Sequence, residues 1–105
     1  MNKECVLTAI ELGSLIEQTY REALQIADLD RSSRAETNVF LKELKTDVTD
    51  HVRRIRAELV HVNTACGHYL DVEKLMHNVE GDLKAGIWIS VAGRTDDIFG
   101  EIEKA

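Results

Sequence analysis

Residues 41–62 read LKELKTDVTDHVRRIRAELVHV, and the apolar positions Leu41, Leu44, Val48, Val52, Ile55, Leu59 and Val62 return at steps of three and four. That is the period of one face of an α-helix, close to a heptad seam. The opposite face carries Lys42, Lys45, Thr49, Asp50, Arg53, Arg54 and Arg56, so one side is dry and the other wet. Extended back to Arg34, the helix would be roughly 40 Å long at ~1.5 Å per residue. A stripe of that length needs a long antiparallel neighbour or a second chain to cover it.

Working outward, residues 5–27 place Val6, Ala9, Ile10, Ile16, Tyr20, Ala23 and Ala27 at helical steps, with Leu12, Leu15 and Ile26 widening the stripe. A first helix over about 4–28, largely buried, is the expectation. Asp28 to Ser33 reads as a connection in which either Ser32 or Ser33 can cap the next helix; with Ser33 as the cap, Glu36 completes a capping box. A second connection runs from Asn63 to His68, and Asp71 is the expected cap of a third helix over 71–92. Thr95 followed by Asp96 and Asp97 resembles the start of a short fourth helix over 95–104. The β-branched run Ile87 to Val91 could be a strand by propensity, but no second strand exists for it to pair with, so helix is preferred. Gly86, Gly93 and Gly100 stand seven residues apart, which on one continuous helix would align them for close approach by a neighbour. A turn at Gly93 is the competing reading.

Composition agrees. The chain has 105 residues, 44% hydrophobic, 5% aromatic and no proline. This is too little turn punctuation for an all-β domain and too short a chain for two cores. The expected fold is a single all-α domain over residues 1–105, an antiparallel bundle of three or four helices. No membrane span or leader is legible, which makes the cytoplasm the expected location. In that reducing compartment Cys5 and Cys66, without a CxxC spacing, are expected to be free thiols.

The formal net charge of −6 disfavours a general nucleic-acid binder. Its distribution is uneven: residues 1–30 hold two basic and six acidic side chains, residues 31–70 seven and five, and residues 71–105 four and eight. A basic middle lies between two acidic ends, as expected where antiparallel helices complement one another.

Chemistry-bearing residues are few. His51 sits on the edge of the apolar stripe with Asp47 one turn before it, a packed histidine held by a carboxylate. His61, Cys66 and His68 could donate to zinc, but their spacing matches no zinc motif, so no metal and no cofactor is expected. No phosphate loop or catalytic triad is present.

Two family resemblances bear on the reading. Glu17, Tyr20 and Ala23, followed by Phe40, Leu44, Asp47, His51 and Leu59, resemble a helix pair of the ferritin-like, rubrerythrin-type proteins over residues 11–59. In that family a glutamate precedes the histidine by three positions, and here that place is Val48. The resemblance therefore implies the bundle and not its di-iron site. Arg56-Ala57-Glu58-Leu59-Val60-His61 resembles the Arg-x4-His motif of the HEPN superfamily of helical ribonucleases and toxin-type proteins. That resemblance implies RNA chemistry at a dimer interface, with Arg56 on the phosphate and His61 in acid–base exchange. The family often has a polar residue after the arginine, where this chain has Ala57.

The preferred reading is a non-enzymatic binding or structural module that associates with itself, as a homodimer, or with another protein. The expected interface is Ile87, Trp88 and Ile89 together with the seam Leu44, Val48, Val52 and Ile55. The HEPN-like pair Arg56 and His61 is the enzymatic alternative, and only that alternative brings in nucleic acid.

Overall fold

The structure, a computed structural model, describes residues 3–30, 35–67 and 70–104. They form four α-helices: α1 (Lys3–Leu29), α2 (Ala35–Cys66), α3 (Val72–Ala85) and α4 (Trp88–Lys104). There is no strand among the described residues. Residues 87–91 are indeed helical from Trp88 onward. The expected capping box at Ser33 and Glu36 lies outside what is described: residues 31–34 are not, nor is the Glu36 side chain.

α1 packs against α2 and α4, and α3 packs against the same two helices, giving an up-down-up-down bundle 50 Å long. The long α2 finds its long antiparallel neighbour in α1, and the shorter α3 and α4 close the other side. Leu41, Leu44, Val48, Val52, Ile55, Leu59 and Val62 are all buried, as their period requires. α1 differs from expectation. Its buried stripe is Cys5, Thr8, Leu12, Leu15, Ile16, Thr19, Ala23 and Ile26, while Val6 and Ile10 face solvent. Two threonines hold places in this stripe because their hydroxyls donate back to backbone carbonyls one turn earlier, Thr8 to Glu4 and Thr19 to Leu15 at 2.8 and 2.7 Å. With that proton committed, a buried threonine packs almost as valine does.

The break between the last two helices falls at Gly86 and not at residues 92–95. Gly86 is left-handed, φ 74°, and its N–H donates to Leu83 O at 3.1 Å while Ile87 N–H donates to Asp82 O at 3.0 Å. This is a Schellman ending, which a residue with a Cβ adopts only under strain. Thr95, expected as a cap, is a buried mid-helix residue whose hydroxyl donates to Val91 O at 2.7 Å. Gly86 therefore cannot share a stripe with Gly93 and Gly100. Asp71 caps α3 as expected, accepting from Lys74 N–H at 3.1 Å.

Cys5 and Cys66 are joined by a disulfide, Cα atoms 4.8 Å apart across 61 residues of sequence. This corrects the expectation of free thiols. Spacing in sequence hides the pairing because the antiparallel hairpin brings the first turn of α1 beside the last residue of α2. Asn63 closes the same end: its side-chain amide donates to Leu70 O at 2.9 Å and its carbonyl accepts from Leu70 N–H at 2.7 Å.

Candidate functional site

Five residues along an α-helix is ~140° of rotation, so an Arg-x4-His pair on one helix faces two different neighbours. Arg56 turns to α3. Its guanidinium donates from Nε to Glu80 at 3.1 Å, with further bonds from its terminal nitrogens to Glu80 and Glu73. These hydrogen bonds, Glu80 first and Glu73 second, push Arg56 still further above its already high pKa. The same contact holds the Glu73 carboxyl below its ordinary value. His61 turns to α1, where Nε2 lies 3.4 Å from Glu4 and Nδ1 lies 3.8 Å from Glu58 of its own helix. The two residues have no partner in common. A fixed guanidinium gripped by two carboxylates is a structural clamp between α2 and α3, its charge already answered.

His51 does have a carboxylate, but it is not Asp47. Nδ1 is 2.7 Å from Glu22 across the α1–α2 groove, both side chains about 15% exposed. Asp47, on the same helix, is exposed. Of the zinc candidates, Cys66 is consumed by the disulfide, His61 lies between glutamates, and His68 is outside the described residues. Among the described residues no cluster of three His, Cys, Asp or Glu could hold a metal ion. Glu22, Glu73, Glu80 and Glu4 were not legible as partners, because each contact crosses between helices.

The expected interface residues divide. Leu44, Val48, Val52 and Ile55 are at most 8% exposed within the chain's own bundle and are not surface at all. Ile87 and Ile89 are exposed at 47% and 57%. Trp88 is half-buried, with Lys45 Nζ 5.6 Å over its ring. Around it runs a groove bordered by Lys42, Arg53 and Leu83.

Comparison with protein-family models, with curated proteins and with solved structures finds no match.

What the surface offers is apolar contact. Leu7, Ile10, Val39 and Val60 each stand at least half exposed, in addition to Ile87 and Ile89. A second recess lies between α1 and α4, where the Phe99 ring lies beside Gly13; a Cβ built on the glycine would stand 3.7 Å from it, an ordinary contact. No helix of the described residues is long and apolar enough to cross a membrane.

Proposed function

We propose that this chain is a non-enzymatic helical module that works by associating with protein, a second copy of itself in the first instance. The observation that carries the reading is apolar surface left outside a core that is already closed. Ile10, Val39 and Ile89 are 60%, 69% and 57% exposed, although Leu12, Val48, Leu59, Met76 and Val91 fill the bundle completely at 0%. Single exposed hydrophobics are ordinary, but this many on a small bundle are the material of an interface. The rival ribonuclease reading needs Arg56 and His61 to act together, and each is engaged by carboxylates on a different side of α2.

The disulfide supports an oxidising working environment over the cytoplasm expected from the sequence. Alkylation of the protein at the moment of isolation from its source checks this: a bridged pair is expected, and two alkylated thiols would restore the cytoplasmic location.

Sedimentation equilibrium at micromolar concentration tests the association. A mass above one chain, lowered by Ile89→Asp, is the expected result. A single-chain mass together with RNA cleavage that His61→Ala abolishes in a folded protein would replace the reading with the enzymatic one.

A further inference from the structure

The two acidic ends of the chain fold side by side. α1 carries five acidic and two basic side chains, α4 four and two, and the two helices are packed neighbours. The recess between them, about 320 Å³, therefore opens between two helices of net negative charge. A cleft lined by one sign of charge raises the local concentration of the opposite ion. The lining is aromatic as well. Gly13 and Tyr20 lie two turns apart on α1, and Asp96 and Phe99 one turn apart on α4, so two rings and a carboxylate address one opening. Tyr20 is half-buried and Phe99 is 38% exposed, while Gly13 contributes no side chain. Glu17 and Arg21, also at the recess, answer each other at 2.7 Å. Asp96 is exposed and enters no ion pair among the described residues, which leaves the recess with one net negative charge.

We infer that the recess between α1 and α4 binds a small organic cation, an ammonium group carried on a compact aromatic or alkyl body. The body packs on the Tyr20 and Phe99 rings, and the ammonium is shared between a ring face and the Asp96 carboxylate. The face of an aromatic ring is electronegative, and a cation over a part-exposed one gains about two- to fivefold in affinity. A carboxylate adds to that attraction for a cation, whereas an anionic ligand would meet both the ring faces and Asp96 as like charge. The volume stands at the small end of ligand pockets, which run about 300–1,000 Å³, and suits one ring with a short arm. With walls that are partly wet, the affinity expected is on the order of millimolar. Ile10, Val39 and Ile89 do not line the recess, so the inference stands apart from the association reading above.

The test uses the full chain with its disulfide intact, titrated with 2-phenylethylammonium chloride and followed by the ring-proton NMR signals of Tyr20 and Phe99. The chain has two tyrosines and two phenylalanines, so these signals are readily assigned. Saturable shifts of both rings are expected. The alcohol 2-phenylethanol, of the same shape without the charge, should bind about fivefold more weakly, and phenylacetate more weakly still. Asp96→Asn should weaken ammonium binding about threefold or more, and Arg21→Gln, which leaves Glu17 unanswered beside the recess, should strengthen it about twofold. Asp47→Asn makes the same change of charge on an exposed residue of α2 outside the recess, and should leave binding unchanged. Asp96 and Arg21 are both exposed, and far-UV circular dichroism confirms that each variant remains helical. The inference is overturned if neither ring signal moves up to the highest soluble probe concentration. It is equally overturned if the alcohol or phenylacetate binds as tightly as the ammonium, or if Asp96→Asn has no more effect than Asp47→Asn.

Discussion

Reduction of the Cys5–Cys66 bridge isolates one term of the stability of this bundle without removing a side chain. The bridge spans 61 residues, more than half the chain, and its main effect in the chain-entropy account is on the unfolded state. With that loop length the loss of unfolded-state entropy is about 14 cal/mol/K, or roughly 4 kcal/mol at 25 °C. That is a large fraction of the ~5–15 kcal/mol typical of a whole domain. Taking ~2.1 cal/mol/K per residue for the entropy of unfolding, a chain of this size should lose about 18 °C in Tm on reduction. The assay is urea unfolding followed by circular dichroism at 222 nm, oxidised protein against protein kept in reductant, with Cys5→Ala/Cys66→Ala as a check that reductant itself is without effect. The reduced form should also show the larger m-value, because its unfolded chain is less confined. A midpoint change equivalent to less than about 1 kcal/mol, with unchanged m, would refute the argument, since a loop this long cannot be closed at so small an entropic effect.

Three further outcomes follow from the same geometry. Arg56→Met should destabilise the fold by about 1 kcal/mol in urea, the scale of a partly exposed clamp; a variant as stable as the parent would release Arg56 from its structural role. Because Glu73 titrates below its ordinary value, its pairing contributes stability that is present above the unfolded-state value and is lost as pH falls through the depressed one. Glu73→Gln should therefore lower stability slightly in the neutral region, leave the acid end nearly unchanged and so flatten the acid limb of stability against pH. Gly86→Ala should cost about 1 kcal/mol by thermal unfolding because φ there is 74°, whereas Gly81→Ala, at an exposed helical position whose added Cβ meets nothing, should stabilise by about 0.5–1 kcal/mol; equal signs for the two would refute the capping argument.

The bundle was legible where one periodic signal was strong and unshared. Every apolar residue of the α2 stripe went where its period sent it, because Lys42, Arg53 and their neighbours left no second face for the core to use. In α1 the signal was divided: Val6 and Ile10 keep helical steps as well as Leu12 and Leu15 do, and apolar periodicity alone does not show which set faces inward. Thr8 and Thr19 decided it, and they read as polar until their hydroxyls are seen bonded one turn back. The α3–α4 break was misplaced for a related reason. Thr95-Asp96-Asp97 has the residues of a helix start, but Thr95 can bond its own i−4 carbonyl and remain inside a helix. Gly86, left-handed and followed by Ile87, whose N–H bonds back to Asp82 O, has the stronger claim as a stop.

The site was less legible than the fold, and the reason is geometric. A sequence motif fixes angles around one helix but says nothing of which helix lies alongside. Arg56 and His61 are five residues apart whatever the fold, yet whether they converge depends on what their two sides meet. In this chain the sides meet Glu80 and Glu73 on α3 and Glu4 on α1. The same reasoning explains why Glu22, twenty-nine residues from His51, holds the imidazole in place of Asp47. An i, i+4 carboxylate competes from an exposed face, while Glu22 arrives from the packed neighbour in a groove that excludes most water and strengthens the bond it makes. Charge pattern carried further than motif did. A basic middle between acidic ends was visible in the residues alone, and the bundle uses part of it internally at Arg56. It leaves Lys42 and Lys84 exposed on the α2–α3 side and Asp96 and Asp97 exposed on α4, outside the ion pairs made among the described residues.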